Sequence, residues 1–331
     1  MTVVSELGES ALIERIAARL GAPGADELWS GDDAAVLRPP GGSLLFTTDV
    51  VVEGVDFDMT WSSAPDVGWK ALAVNASDIA AMGGRPAYAV AGLSLPRHTD
   101  VDVVDGIVDG MLAAARRWDI AVVGGDISEA TELSLAIAML GAPVEAAAVT
   151  RAGAALGDAL CVTGALGGAA GGLVALRHGL VEGSGAAALH RLAARQLRPT
   201  ARVEEGVALA RVGASSMIDV SDGLAVDLAR LVAAGGTGCR VDLDALPVDD
   251  DLGALGGMWP VDELELAIAG GEDFELLVAL DPRRVDEARA ALAGAGTTLT
   301  QIGVVVEHER RMGDTELEAW RERGWEHLQK R

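Results

Sequence analysis

Aspartates recur where this chain is otherwise apolar or rich in glycine. Asp49 lies inside the run from Leu44 to Val52, next to Thr47 and Thr48. An ionised carboxylate in such a run is costly unless it is paired or meets a cation. Asp49 therefore reads either as a strand-end group facing water or as a metal ligand with hydroxyl oxygens beside it. Asp32 and Asp33 follow Gly31, a pattern that plain turns also use. Asp78 sits one helical turn after Asn75 in KALAVNASDIAAMGG, among alanines and Met82. Asp126 ends VVGGD, where the glycines let backbone approach a phosphate closely; an ordinary glycine turn is the other reading. Asp219, Ser221 and Asp222 share IDVSDGL. One of Ser221 and Asp222 suits a helix N-cap, and a second aspartate exceeds what capping requires. Glu272 and Asp273 form an acidic turn in AGGEDFELL.

Together these residues place carboxylates and glycines at many strand ends. Mg²⁺ prefers oxygen ligands, keeps several waters and is shared with substrate phosphates. Without metal ions between them, so many carboxylates would repel a nucleotide. Ions that bridge phosphate oxygens and neutralise developing charge are what phosphoryl transfer needs. Catalysis of that kind needs no protein nucleophile, and no Ser-His-Asp or Cys-His arrangement is apparent. The five histidines show no ligand spacing.

Composition narrows the field. The net charge is −24, which argues against nucleic acid as a partner. Only Lys70 and Lys330 are lysines, and no GxxxxGK[ST] occurs, so a P-loop is excluded. Phosphate would have to be met by metal ions, backbone amides and arginines. Cys161 and Cys239 stand far apart with no CxxC and read as buried, inert residues; a cytoplasmic location is the default expectation. No apolar stretch approaches the roughly 18 residues of a membrane span.

The elements that must position these groups follow from periodicity and breakers. Met1 to Gly21 reads as an amphipathic helix with Leu12, Ile13, Ile16 and Leu20 on one face. Ser43 to Val52, Tyr88 to Leu95, Ile120 to Val123 and Leu133 to Leu140 read as strands, and Asp66 to Met82 and Val101 to Trp118 as helices. Ser62 and Ser63 are candidate caps, with Pro65 in the first turn. In the second half, Ala159 to Thr163, Ser216 to Val220, Cys239 to Leu243, Leu264 to Ala269 and Phe274 to Leu280 read as strands. Helices are expected from the glycine-rich Gly164–Gly172 to His178, and over 189–195, 202–212, 222–234 and 283–293. The irregular alternation indicates α/β or α+β architecture in two halves, 1–148 and 149–331.

The ordered set GDDAAV, TTDVVVEGVDF, KALAVNASDIAAMGG, VVGGD, VTGALGGAAGGL, IDVSDGL and AGGEDFELL resembles the thiamine-monophosphate kinases across Gly8 to Trp325. These kinases belong to the aminoimidazole ribonucleotide synthetase-like superfamily. The resemblance implies ATP- and Mg²⁺-dependent phosphorylation of thiamine monophosphate to thiamine diphosphate, by direct in-line transfer without a phosphoenzyme. It also implies an N-terminal α/β domain that binds nucleotide and joins a partner subunit in a homodimer, and a C-terminal α+β domain that completes the substrate site.

Residue by residue, Asp33, Thr47, Thr48, Asp49, Asp78, Asp126, Asp219 and Asp222 match the family's metal positions. Gly125, Asp126, Arg151 and Ser221 match its nucleotide contacts; Arg151 is a fixed cation able to fork onto phosphate. Glu272 and Trp325 match substrate contacts, Trp325 as an aromatic able to stack on a thiamine ring, against a simpler role covering the core. Asp56 stands in VEGVDF at a substrate-contact position where the family often has His. A carboxylate there could answer the cationic thiazolium, hydrogen-bond the pyrimidine, or mark a changed substrate. Two other readings stand beside this one. One is an ATP-dependent member of the superfamily with a different small-molecule substrate. The other is a non-catalytic nucleotide- or metal-binding protein, whose sign would be missing metal carboxylates.

Overall fold

A computed structural model describes all residues except 1, 8, 23–26, 28–36, 38–41, 183–185 and 326–331. Asp32 and Asp33 lie outside the described residues. Two compact units divide the chain: one comprises 1–79 and 85–142, the other 80–84 and 143–331.

The first unit opens with two short helices, α1 (Val4–Leu7) and α2 (Glu9–Ala17), where one amphipathic helix was expected. Leu12 is buried and Ile13 is exposed, so the expected apolar face is narrower than the spacing suggests. Next come β1 (Leu45–Val52), α3 (Ala64–Ala81), β2 (Gly84–Leu95), α4 (Val101–Trp118), β3 (Ala121–Glu129) and β4 (Ser134–Pro143). The strands form one sheet in the order β1-β4-β2-β3, with β1 and β4 antiparallel and β2 and β3 parallel.

The start of α3 is a reciprocal cap. Ser63 Oγ donates to Asp66 Oδ2 at 2.6 Å, and the Asp66 and Ser63 N–H groups each donate to the other's side chain. Helix α3 is apolar on nearly every side and correspondingly buried. It meets α4 backbone to backbone. A Cβ on Gly68 would stand 1.9 Å from the Ile107 carbonyl oxygen, and one on Gly110 1.8 Å from that of Pro65. Strand alternation sends Leu135, Ile137 and Met139 into the core, while Ala136, Ala138 and Leu140 turn to the opposite face.

The second unit contains β5 (Ala159–Thr163), α5 (Gly168–Arg177), α6 (Ala187–Leu197), α7 (Val203–Val212), β6 (Ser216–Asp219), α8 (Leu224–Gly235), β7 (Gly238–Val241) and α9 (Leu252–Gly256). These are followed by α10 (Glu263–Ala269), β8 (Leu276–Leu280), α11 (Val285–Ala293), β9 (Leu299–Val306), β10 (Arg310–Met312), β11 (Thr315–Glu316) and α12 (Leu317–Arg321). Seven strands form one sheet in the order β11-β10-β7-β9-β5-β8-β6. Both faces are covered, so β5 and β8 are buried at every position. Leu160 and Val162 join a core with Leu224, Leu228 and Leu231 of α8. Ala159 and Cys161 join another with Leu209 of α7 and Leu292 of α11. Burial pushes the Cys161 thiol up to about 12 and that of Cys239 up to about 11, in keeping with inert packing roles.

One expected strand is a helix. The alternation in ELELAIA suggests period two, yet 263–269 forms α10. Asp262 caps it by accepting from the Glu265 N–H at 3.1 Å, and the glutamates suit the positive end of the helix dipole. Likewise Gly124, Gly125 and Asp126 are not a turn after a strand: β3 continues through them.

Candidate functional site

In the first unit the candidate groups gather where α3 meets β1. Alternation along β1 puts Thr47 and Asp49 on one face and Thr48 on the other. Thr47 Oγ1 donates a short hydrogen bond to Asp78 Oδ2. The Asp49 N–H donates to Asn75 Oδ1 at 3.1 Å, and Asn75 is itself held by donating to the Ala71 carbonyl at 3.1 Å. Asn75 is fully buried, so β1 and α3 are locked together at the turn of helix that carries Asp78. Asp126 lies on β3, exposed, opposite Gly92 of β2. The glycine before it is obligatory: a Cβ on Gly125 would stand 2.1 Å from the Ala91 carbonyl oxygen.

Asp56 has a local task. Its Oδ2 accepts the Val52 N–H at 2.8 Å, and its carbonyl accepts from the Nζ of buried Lys70 at 2.7 Å. The loop leaving β1 is thereby fixed from both sides.

In the second unit every backbone polar group of residues 220–222 has a partner. Val220 donates to the Glu275 carbonyl at 2.8 Å and accepts from the Phe274 N–H at 2.9 Å. Ser221 accepts from the Glu272 N–H at 2.7 Å, and Asp222 accepts from the Trp325 N–H at 3.2 Å. The Ser221 and Asp222 N–H groups both donate to Asp227 Oδ2 at 3.0 Å. Arg230 spans Asp227 Oδ1 at 2.7 Å and Asp222 Oδ2 at 2.5 Å. Burial pushes the Asp227 carboxyl up to about 6 against the pull of Arg230. Asp219, at the end of β6, is buried. The side chains of Ser221 and Asp222 are thus carried on a fully bonded frame.

The acidic turn beside it is unusual. Glu272 and Phe274 both hold left-handed backbone, at φ 70° and 50°, a conformation that non-glycine residues rarely adopt. This twist sends successive side chains in different directions. Glu272 Oε2 accepts from Nε2 of buried Gln196. Asp273 accepts from the Gly167 and Ala169 N–H groups at 2.7 and 3.1 Å, and so caps α5 from a distant part of the chain. The glycine-rich N-terminus of α5 is therefore occupied by the protein's own carboxylate. Burial pushes Asp273 up to about 7. Next along, Glu275 is buried with Arg202, which donates to it from Nε at 2.8 Å, and with Thr163, whose Oγ1 donates at 2.6 Å.

Two family models match: the AIR synthase related protein N-terminal domain over residues 31–142 and the C-terminal domain over 155–313. The thiamine-monophosphate kinase of Salmonella typhimurium is 38% identical over 301 residues, which cover 89% of this chain and 90% of that protein. That of Aquifex aeolicus is 33% identical over 98% of this chain and 99% of its own length. The chain belongs to the thiamine-monophosphate kinase family. The crystal structure of the thiamine-monophosphate kinase from Stenotrophomonas maltophilia superposes with a TM-score of 0.82 at 37% identity, covering 92% of this chain and 96% of that one. A structure of AaThiL complexed with AMPPCP and TMP superposes with a TM-score of 0.77 at 30% identity, covering 99% of both.

Set beside the thiamine-monophosphate kinase motifs, the structure sorts the expected site residues. Thr47, Asp49 and Asp78 come together in one unit, and Ser221, Asp222, Glu272 and Trp325 around one turn in the other. Thr48 faces away from its neighbours. Arg151 is exposed in the second unit, its carbonyl accepting from Ser216 Oγ at 2.8 Å. Asp33 lies outside the described residues. Sequence reasoning overlooked Asp227, Arg230 and Gln196. An aspartate inside the apolar run LAVDLARL, with an arginine three residues on, was the available signal for the first two.

Proposed function

We propose that this chain phosphorylates thiamine monophosphate with ATP, giving thiamine diphosphate and ADP. An oxygen of the acceptor phosphate attacks the γ-phosphorus in line, the bond to the β–γ bridging oxygen breaks, and ADP leaves with that electron pair. The observation that carries the reading is the match to thiamine-monophosphate kinases over 89% of this chain and 90% of its Salmonella typhimurium relative.

Several Mg²⁺ ions fit the donor set. Thr47, Asp49 and Asp78 offer only oxygen, on two elements locked by Asn75. Among the described residues no group of three or more His, Cys, Asp or Glu forms a cage, so waters and substrate phosphates would have to complete the shell of each ion. We assign Asp33, Thr47, Thr48, Asp49, Asp78, Asp126, Asp219 and Asp222 to the metals. Bound Mg²⁺ would neutralise phosphate charge during transfer. Gly125, Asp126, Arg151 and Ser221 would receive the nucleotide, and Asp56, Glu272 and Trp325 the thiamine phosphate. Glu272 brings negative charge to meet a cationic ring, and Trp325 an aromatic face to stack on it.

A homodimer forms through the first unit's sheet. The face turned away from the core carries Phe46, Val50, Val90 and Leu140, the first three of them exposed, an apolar patch of the kind that marks association surfaces.

The decisive assay is ADP release from Mg-ATP with thiamine monophosphate, thiamine and other phosphate acceptors. Turnover that requires thiamine monophosphate and yields thiamine diphosphate is the expected result. A folded protein that binds Mg-ATP without turning over thiamine monophosphate would move the substrate elsewhere in the superfamily.

A further inference from the structure

Asp227 is fully buried on α8, in a helix otherwise lined by Leu224, Leu228 and Leu231. A carboxylate in such a place must be satisfied. Its Oδ2 accepts two consecutive backbone N–H groups, from Ser221 and Asp222, each at 3.0 Å. Its Oδ1 accepts from Arg230 at 2.7 Å, and the same arginine nitrogen reaches Asp222 Oδ2 at 2.5 Å. Capping alone would need one acceptor on one N–H. Here a single oxygen fixes two successive peptide units, while the arginine aims the carboxylate that the turn presents. The α8 N-terminus has no side-chain cap of its own, since Gly223 occupies that position at φ 114°. Asp227 therefore supplies the side-chain acceptor for both N–H groups of the turn.

We propose that Asp227, clamped by Arg230, is a positioning residue: it fixes the Ser221–Asp222 turn so that the two side chains meet nucleotide and metal in a set geometry. The inference rests on the kinase reading above. Asp227 touches no reacting group in this account. Its effect runs through the turn, and through the two neighbouring carbonyls from which Glu272 and Trp325 are hung.

The test compares Asp227→Ala, Asp227→Asn and Arg230→Met with Leu292→Ala. Leu292 is a buried residue of the α11 core whose truncation lowers stability without touching the turn. Thermal unfolding, Mg-ATP affinity by calorimetry, and kcat/KM per folded molecule are measured for each. Loss of the clamp in Asp227→Ala should lower kcat/KM for ATP by about tenfold or more, because small misplacements near the chemistry are costly. Its Mg-ATP affinity should also weaken. Asp227→Asn keeps an oxygen for the two N–H groups and should retain more activity than the alanine variant. Leu292→Ala should lose stability and stay within about twofold of wild type in kcat/KM. If Asp227→Ala does not fold, Arg230→Met carries the test, since Arg230 is 41% exposed and Asp227 keeps its two backbone N–H donors without it. A folded Asp227→Ala or Arg230→Met that matches Leu292→Ala in both kcat/KM and Mg-ATP affinity overturns the proposal. Wild-type protein that shows no turnover of thiamine monophosphate sinks the kinase reading instead, and Mg-ATP affinity then decides on Asp227 alone.

Discussion

Glu272 and Trp325 hang from consecutive peptide units of one turn: the first donates to the Ser221 carbonyl at 2.7 Å, the second to that of Asp222 at 3.2 Å. Both bonds use main-chain N–H groups, so their side chains can be changed without breaking the frame. Trp325→Ala should raise the apparent KM for thiamine monophosphate by about tenfold, the scale of one lost ring contact, and leave that for ATP near its starting value. Glu272→Gln keeps an oxygen for Gln196 and removes the charge; it should weaken the cationic substrate and spare ATP. Steady-state kinetics with each substrate varied in turn checks both. An unchanged substrate KM in Trp325→Ala would restore the simpler reading, a tryptophan covering the core.

Asp49 tests the metal assignment. Its backbone N–H, not its carboxylate, makes the bond to Asn75 Oδ1. Asp49→Asn should therefore preserve the strand–helix lock and the fold. Turnover should fall by roughly two orders of magnitude or more, the scale seen when a preorganised electrostatic group is removed. The activity should recover little with added Mg²⁺. Near-normal turnover at low Mg²⁺, with unchanged unfolding, would remove Asp49 from the metal set.

Much of this was legible in residue pattern because the responsible physics is local. The reciprocal bonds of Ser63 and Asp66 that start α3 are one turn long, and β5 is a short run, apolar up to Thr163, of the kind that strands buried on both faces show. What escaped is non-local or ambiguous. Asp273 caps α5 across the chain, and Gln196 meets Glu272 from another helix; no spacing announces either. ELELAIA satisfies period two as written, and the Asp262 cap outweighs it. Gly125 looked like a loop glycine by type. It is a strand glycine because Ala91 of the neighbouring strand leaves no room for a Cβ.

Asp273 should give stability a specific pH dependence. Its ordinary value is 3.8 and burial raises it to about 7. Between those values the folded protein holds a proton that the unfolded chain releases. Stability on this account is then fully present below about pH 4 and is lost as pH rises through about 7. Asp273→Asn mimics the protonated acid and lacks the titration. Relative to that variant, the wild-type melting temperature should fall as pH rises from 4 to 7 and become parallel above about 8. Melting curves of both proteins across this range decide it. Parallel curves throughout would mean that the α5 N–H groups hold the carboxylate ionised at ordinary acidity.

The open face of the first sheet carries the oligomer prediction. Phe46, Thr48 and Val50 alternate outward along β1, and across the register they stand beside Leu140, Ala138 and Ala136 of β4. Phe46 is 70% exposed and Val50 55%. Burying side chains of this size is worth about 1.5–3 kcal/mol each, so a symmetric pairing gains from both copies at once. None of the three residues reaches the α3 side of β1, where Thr47 meets Asp78. Phe46→Glu with Val50→Glu should therefore yield a folded monomer, because like charges would face each other across the two-fold axis. Sedimentation or light scattering gives the mass, and circular dichroism the fold. A wild-type dimer that persists in the double variant would place the interface on another surface; a wild-type monomer would leave this face without a partner copy.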